Sequence, residues 1–448
     1  MIATLRTRNF ALVWLGGFIS LSGDWLLMIG LPIYTYTLTH SALATGVMFM
    51  AAALPQMLLA SVAGVFVDRW DRRRTMIVFD LLLAVGLVPL LFVHSKDTLW
   101  LVYVVAVVEG VLAQFYAPAE SAILPTLVPQ DQLISANSLN ALNKNLARLV
   151  GPALGGLVVA AGGLRGVTLL DALSFGVAAL LVAFVRNHAR PVTQPETSVA
   201  REPEVEAVAR AERNLWREWR EGLRLIPGSR VLKVYFVMFA AMGLGEGIFA
   251  VLLVVFALKT LHGKPELLGL MMSAQAIGGL LGSLIVAPFG KRVSPYRLLG
   301  VCAFLFGLVD LAIVDAPAFV PHTAAINLVL ALFVVVGIPS VGLGIGMDSG
   351  VQMAVPNEYL GRLVGLATAL MSLMMLVGMA LASTLGDRVG AVPLLNGQGG
   401  MYALSGLLVL FTLSGVKATR PTAGKDEAAP ATDARTVAAE AESVARAG

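Results

Sequence analysis

Three acidic residues lie in the middle of long apolar stretches of the sequence: Asp24, Glu109 and Glu246. Charged side chains are costly inside a lipid bilayer, and those found there commonly serve proton transfer or the binding of a transported molecule. We therefore interpret these three residues as candidates for proton coupling or substrate contact. The alternative for each is a structural hydrogen bond to a neighbouring helix.

Three further acidic residues lie closer to the ends of apolar stretches. We expect Asp171 near the outer end of its helix, and Asp80 and Glu120 near the inner ends of theirs. Water is close to both ends of a membrane helix, so an acid there carries less of the penalty that the bilayer centre imposes. We therefore predict structural roles for these three residues.

A dense charged segment, GVFVDRWDRRR, interrupts the apolar sequence at residues 64–74. Its arginines resist transfer across a membrane, which indicates a cytoplasmic loop. Its aspartate adds a carboxylate that could accept hydrogen bonds from the N-terminus of another helix. We predict a cytoplasmic gate motif composed of Gly64, Asp68, Arg69, Arg72 and Arg73. A pure topology signal is the alternative, although it would not need the aspartate.

The stretch GPALGG at residues 151–156 places small residues at helical spacing. Gly151 and Gly155 are four residues apart, and small residues at that spacing allow two membrane helices to approach closely. Pro152 lacks a backbone N–H and can kink the helix. We predict that Gly151, Pro152, Gly155 and Gly156 form a tight helix interface, which is compatible with plain packing and with a role in a conformational cycle.

The composition explains why these motifs are surrounded by apolar sequence. The 448 residues are 57% hydrophobic and 13% charged, with a mean hydropathy of +0.81, so a lipid bilayer is the solvent that suits the chain. A helix needs about 20 apolar residues to span the hydrocarbon. We predict twelve spans, at about 9–38, 42–66, 75–93, 98–119, 143–162, 166–186, 231–258, 266–289, 296–316, 323–346, 362–385 and 393–416.

The distribution of basic residues predicts how these spans are oriented. Lys and Arg, Lys144 and Arg148 among them, are concentrated in the short loops and helix ends on the side of the charged segment, and the cytoplasmic side carries such an excess. An even number of spans then puts both termini in the cytoplasm. The N-terminus leads directly into an apolar stretch without a small-residue cleavage site, so we predict a retained first span in a multi-pass protein of the cell (inner) membrane.

Weak internal similarity predicts two parallel six-helix repeats. Residues 127–140 resemble 354–367, and the charged segment has a counterpart, KRVSPYR, in the equivalent later loop. The predicted organisation is an N-terminal bundle (1–186), a cytoplasmic linker with an amphipathic helix (187–229), a C-terminal bundle (230–416) and a disordered cytoplasmic tail (417–448). Such repeats place a substrate site near the membrane midplane between the two bundles.

Other functional classes lack their sequence signatures. There is no phosphate-binding loop of the G-x-x-x-x-G-K-[ST] type and no H-E-x-x-H zinc motif, and the single cysteine and scattered histidines have no metal-ligand spacing. We therefore predict no enzyme, no catalytic residue, no metal site, no cofactor and no nucleic-acid partner. The basic net charge of +4 is accounted for by the cytoplasmic loops.

The twelve spans and the charged segment resemble the major facilitator superfamily over about residues 5–416. The loop motif of that family, G-x-x-x-D-R-x-G-R-R, corresponds to residues 64–73, with Asp71 in place of the usual glycine. The resemblance implies that Asp68 docks on the eleventh helix, near Gly361 and Arg362. GPALGG resembles the core of the exporter motif, and FYAPAESAILPTLVPQDQLISANSLN resembles the branch that contains macrolide efflux proteins and the enterobactin exporter.

Together these features predict a secondary active exporter that acts as a monomer within the lipid bilayer. Its substrates would be hydrophobic or amphipathic small molecules of drug, macrolide or siderophore type, exchanged for protons by alternating access. Import of a small metabolite on the same fold and a transport-inactive membrane scaffold are the alternatives. A scaffold would gain nothing from retaining acids in the middle of its spans.

Overall fold

The computed structural model describes residues 2–67, 69–186, 226–286, 288, 293–355 and 357–416. Within these ranges every regular element is helical, and eleven helical segments are long and apolar enough to cross a membrane. The prediction of an all-helical membrane protein is therefore confirmed for this part of the chain. Asp68, most of the predicted linker helix and the predicted disordered tail lie outside the described residues.

The long helices follow one another with short connections, except between α5 and α6, where residues 187–225 lie outside the described ranges. They are α1 (Arg8–Thr39), α2 (Ala42–Val67), α3 (Arg72–Gly86), α4 (Trp100–Leu127), α5 (Leu133–Ala183), α6 (Arg230–Val255), α7 (Glu266–Val286), α8 (Pro295–Phe319), α9 (His322–Ala354), α10 (Asn357–Val389) and α11 (Ala391–Leu413). A 3₁₀ turn, Val88–Phe92, extends α3, and a π-helical turn, Phe256–Thr260, ends α6. Several helices continue beyond the predicted spans, because hydropathy marks the segment in hydrocarbon and not the polar ends of a helix.

α5 is too long for a single crossing and is divided at Gly163. A straight helix of 51 residues would measure about 76 Å, against about 30 Å of hydrocarbon. Gly163 has φ 58° and ψ −155°, a conformation that glycine adopts readily and that reverses the chain. The first arm (133–162) runs parallel to α1, and the second arm (164–183) runs antiparallel to it, as the neighbours of the α1 glycines show.

The helices pack as two groups. α1–α5 contact mainly one another, and α6–α11 do the same. Two helix pairs provide most of the packing between the groups: the first arm of α5 against α7, and α2 against α10. Two names distinguish the ends of the molecule. The terminal end is the end at which α1 begins. The far end is the end at which α1 stops and α11 begins.

The apolar core is shared by both groups at the far end but is divided at the terminal end. One cluster joins residues such as Leu31 and Ala42 of the first group to Val254 and Leu395 of the second. Towards the terminal end the described core separates into two clusters within the first group and one within the second. Among the described residues, the apolar core therefore joins the two groups at the far end and not at the terminal end.

The outer surface of the helices is apolar. Phe319 and Phe411 are both 83% exposed, and many Leu and Val side chains also lie on the outside. A protein in water would bury such side chains, whereas a bilayer solvates them, so the chain can use small and polar residues for contacts between helices. Hydrophobicity consequently marks the lipid-facing surface of this fold as much as its core.

Candidate functional site

A cavity of 580 Å³ lies between the two groups, and four Asp, Glu or Lys side chains line it: Asp24, Glu109, Glu120 and Lys144. We call it the acidic cavity. Much of its remaining wall is apolar, with four flexible methionines, Met28, Met48, Met375 and Met379. The structure thus places the predicted Asp24 and Glu109 at the same cavity, α1 contributing the first and α4 the second.

Two more carboxyl groups lie directly behind the acidic cavity. Asp80 on α3 and Asp171 on the second arm of α5 are both 0% exposed. Neither carboxylate oxygen of Asp80 has a hydrogen-bond partner among the described residues, and the same holds for Oδ2 of Asp171. The expectation that water lies close to these two residues was wrong, because neighbouring helices cover both. Buried polar groups without partners are uncommon and call for an explanation.

The five acids form one electrostatic cluster in the first group of helices. Asp24 interacts with Glu120, Asp80, Glu109 and Asp171 through the charges of their carboxylates. Asp80 and Glu120 lie nearer the terminal end, whereas Asp24, Glu109 and Asp171 lie nearer the middle of their helices, with Asp171 beside Gly23. The carboxyl groups therefore occupy two levels of the membrane.

The close approach of α1 to the second arm of α5 depends on Gly23. A Cβ atom at this position would overlap the Ser174 hydroxyl and Oδ1 of Asp171. The Ser174 hydroxyl donates to the Asp171 carbonyl oxygen over 2.8 Å and lies 3.2 Å from Oδ1. The glycine next to Asp24 thus allows two acids on different helices to become neighbours.

A second cavity, of 330 Å³, contains Glu246, and we call it the Glu246 cavity. Arg148 of the first group and Gln275, Gln398 and Tyr402 of the second also line it. The Gln398 amide donates a 2.9 Å hydrogen bond to the carboxylate of Asp310, which is 5% exposed.

Aromatic side chains, Trp25, Phe249 and Phe306, complete much of the wall of the Glu246 cavity. Met28, Pro32 and Phe49 line both cavities, so the two adjoin.

Two basic residues had been interpreted only as topology signals. Lys144 faces the acidic cavity and Arg148, one helical turn later on α5, faces the Glu246 cavity. Arg148 interacts electrostatically with Glu246, and Lys144 with Glu120. Their spacing of four residues was a signal that could have identified them, because it places both on one side of a helix. The sequence did not indicate that this side faces cavities.

The GPALGG motif lies where the first arm of α5 meets both α1 and α7. A Cβ atom at Gly155 would lie 3.1 Å from the Leu26 Cα on α1. A Cβ atom at Gly156 would lie only 2.9 Å from the Glu266 Cα and 3.1 Å from its carbonyl oxygen on α7. The motif therefore forms a contact between the two groups of helices, towards the far end.

The charged segment lies at the terminal end, and its structure is partly described. Arg73 donates to the carbonyl oxygens of Val182 and Ala183, where the second arm of α5 ends. Asp71 caps α3 by accepting a 2.8 Å hydrogen bond from the Arg74 backbone N–H. Its φ of −66° is accessible to any residue, so an aspartate can replace the glycine of the family motif. Gly64 lies in α2, and the gating role of the motif stays a prediction.

The described residues include no group of three or more His, Cys, Asp or Glu side chains placed to hold a metal ion. Two of the described histidines make contacts at the far end: His94 lies beside Arg165, and His322 lies 2.6 Å from the Leu261 carbonyl oxygen.

Comparison with known sequences identifies related membrane transporters. The model of a family described as "Transmembrane secretion effector" matches residues 1–437. Macrolide efflux protein A of Streptococcus pyogenes is 26% identical over 415 residues, covering 90% of this chain and 93% of that protein. The multidrug efflux pump Tap of Mycolicibacterium fortuitum is 28% identical over 378 residues, covering 82% and 87%. The staphyloferrin A transporter of Staphylococcus aureus is 25% identical over 300 residues, covering 66% and 71%.

Solved structures with a similar fold are also transporters. An inward-facing bacterial homologue of the iron transporter ferroportin matches with a TM-score of 0.69 and 14% identity, covering 90% of this chain and 98% of that one. The nucleoside transporter NupG matches with a TM-score of 0.71 and 10% identity, covering 90% and 100%. At these identities the likeness concerns the fold alone.

Proposed function

The chain belongs to the transmembrane secretion effector family of major facilitator transporters, and we propose that it exports hydrophobic or amphipathic small molecules in exchange for protons. The resemblance to this superfamily and to its macrolide efflux branch is confirmed. The relatives and structural neighbours are membrane transporters and not enzymes, in agreement with the prediction.

The observation that carries the proposal is the position of the acidic cluster beside an apolar cavity between two groups of helices. In this proposal the five carboxyl groups, at two levels of the membrane, provide binding sites for a proton within the first group. Lys144 and Arg148 contribute positive charges that a carboxylate can bind when it is ionised. We extend the predicted coupling residues Asp24, Glu109 and Glu246 by Asp80 and Asp171, whose unpartnered oxygens are otherwise unexplained.

The lining of the cavities favours bulky amphipathic substrates. Methionine side chains adapt to different shapes, and aromatic side chains provide large apolar surfaces. The two adjoining cavities combine both types with a few charged groups. This supports a substrate site between the groups of helices.

Alternating access accounts for the division of the core. Counting the two arms of α5 separately gives twelve candidate spans among the described residues, and the packing supports the proposal of two six-helix bundles, residues 1–186 and 230–416. The terminal end faces the cytoplasm in this proposal, because the loops there carry Arg69, Arg72 and Arg73. A core that is joined at the far end and divided at the terminal end then corresponds to an inward-facing state, and rocking of the bundles would expose the cavities outside.

Transport in proteoliposomes tests the proposal. Purified protein would be reconstituted with a macrolide, a cationic dye or a catecholate siderophore, and accumulation would be timed with and without an imposed proton gradient. We expect gradient-driven transport of at least one compound by the wild type, and its loss in Asp24→Asn and Asp80→Asn. Asp97→Asn, an exposed acid in a far-end loop, is the matched control and should transport normally.

Two results would contradict the proposal. If Asp24→Asn and Asp80→Asn transport with the same gradient dependence as Asp97→Asn, these acids do not couple protons to transport. If substrate moves with the proton gradient instead of against it, the protein is an importer on the same fold.

A further inference from the structure

The far end of the molecule contains a contact between the two groups that none of the sequence motifs predicted. Asp387, the third residue from the end of α10, reaches the N-terminus of α2. Its Oδ1 accepts a 2.8 Å hydrogen bond from the Ala42 backbone N–H, and its Oδ2 accepts one of 2.8 Å from the Ser41 hydroxyl. The Leu43 N–H lies 3.4 Å from Oδ2.

The chemistry of a helix N-terminus explains why this carboxylate binds there. The first backbone N–H groups of a helix have no partner within it, and the helix dipole adds a partial positive charge. A helix is usually capped by the residue that precedes it. Here the Ser41 hydroxyl accepts a long 3.4 Å hydrogen bond from the Ala44 backbone N–H and donates its own proton to Asp387. An acid from the other group of helices thus caps α2 together with Ser41.

The sharp connection between α1 and α2 makes the N-terminus of α2 accessible to Asp387. His40 has φ 55°, a left-handed conformation that ends α1 and turns the chain at once into α2. Behind the carboxylate the two helices are in close contact. A Cβ atom at Gly386 would lie 3.0 Å from the Ala42 Cβ, and one at Gly46 would overlap the Ser383 side chain. The contact therefore belongs to the surface that joins the two groups.

We propose that Asp387 is a gate residue that holds the far end closed by capping α2, and that its hydrogen bonds break whenever the far end opens. This inference rests on the proposed alternating access. Opening of the far end must separate α2 from α10, and the Ala42 N–H and the Asp387 carboxylate would then each be solvated by water. The gate stabilises the closed state by the difference in free energy between the hydrogen-bonded pair and the two separately hydrated groups.

The pairing of α2 with α10 brings the start of one helix to the end of the other. The two helices are antiparallel, since the start of α2 meets the end of α10. The charged segment with Asp68 follows α2 in sequence at its other end. Asp387 thus lies near the C-terminus of α10, and Asp68 directly follows the last residue of α2 in the sequence.

Far-end accessibility of a cavity cysteine tests the proposal without substrate or proton gradient. The single native cysteine would be removed by Cys302→Ser, and Met28→Cys would place a thiol where the two cavities adjoin. A membrane-impermeant maleimide is applied to the side on which Asp97→Cys reacts, which identifies the far end independently of the assumed orientation. The labelling rate of Met28→Cys then reports how often the far end is open.

We expect Asp387→Ala to increase this labelling rate by roughly 2- to 30-fold, the change that corresponds to loss of a helix cap. Asp387→Asn should have a smaller effect, because asparagine can still accept one hydrogen bond. Ser41→Ala should also increase the rate, and its effect should not add to that of Asp387→Ala, since both remove the same contact. Arg388→Ala, at the next exposed position, is the matched control and should leave the rate unchanged.

An unchanged labelling rate in Asp387→Ala, with an unfolding temperature equal to that of the wild type, would overturn the proposal. So would full additivity of Ser41→Ala and Asp387→Ala. If Asp387→Ala does not fold, the labelling rate of Asp387→Asn is compared with that of the wild type instead. Failure of the proton-coupled function would appear separately, as transport by Asp24→Asn, and would leave the labelling result intact.

Discussion

The contact of Gly156 with α7 allows a quantitative test of which interface keeps the far end closed. Gly156→Ala would place a methyl group 2.9 Å from the Glu266 Cα and 3.1 Å from its carbonyl oxygen. Carbon atoms prefer separations of about 3.5–4.0 Å, so the first arm of α5 and α7 must move apart by several tenths of an ångström. Both atoms met by the methyl group belong to the backbone, so no side chain can rotate away.

Overpacking of this kind costs about 1–3 kcal/mol. The contact joins the two groups of helices, so this free energy is lost from the closed far end and not from the folding of either group. We therefore expect the ratio of open to closed far ends to rise by roughly 5- to 150-fold. The measurement is far-end labelling of Met28→Cys in the Cys302→Ser background.

Two variants separate this effect from general consequences of adding a methyl group. Nothing lies within 4 Å of a Cβ atom at Gly176, so Gly176→Ala should leave labelling unchanged. Gly247→Ala would overlap the Met375 carbonyl oxygen within the second group, so it should lower the unfolding temperature without increasing far-end labelling. If Gly156→Ala labels no faster than Gly176→Ala, the α5–α7 contact does not hold the far end closed, and our reasoning is refuted.

Three further substitutions have defined expected outcomes. Gln398→Leu removes the 2.9 Å hydrogen bond to buried Asp310 and should lower the free energy of unfolding by about 1–3 kcal/mol; an unchanged thermal unfolding curve would contradict this. Tyr235→Phe removes a 2.9 Å hydrogen bond to a backbone carbonyl of α9, so we expect a loss of about 1 kcal/mol with normal transport, because Tyr235 lies outside both cavities. Arg148→Met should reduce the transport rate at least tenfold, which corresponds to about 1.4 kcal/mol, whereas Arg148→Lys should retain part of the transport activity. Equal transport rates of the two variants would show that the positive charge is not required.

The expected helices and the predicted acids were accessible from the sequence because the bilayer imposes simple rules. A membrane helix needs a long apolar stretch, and an acid within such a stretch is conspicuous. Asp24 and Glu109 were recognised for this reason, and both line a cavity. Family membership was also accessible, since the charged segment and the sequence around residues 115–140 are specific enough to be recognised.

Depth within a helix was predictable, but the direction of a side chain was not. Asp80 and Asp171 lie near helix ends in the sequence, yet both are completely buried because other helices cover them. Lys144 and Arg148 were interpreted as loop charges, yet they face the two cavities. The described helices are apolar on most sides, because lipid and the protein interior both favour apolar side chains. The periodicity that reveals the buried face of a helix in a soluble protein is therefore weak.

Composition, span lengths and isolated charges thus determined, from the sequence alone, that this chain is a helical membrane transporter with acids in its spans. Only the tertiary structure decided which acids are neighbours, that Gly156 lies against α7, and that Asp387 caps a helix of the other group. Asp387 and Ala42 are separated by most of the chain, and each is unremarkable in its local sequence. A contact of this kind depends on how two groups of helices are placed against each other, and local sequence carries no record of that placement.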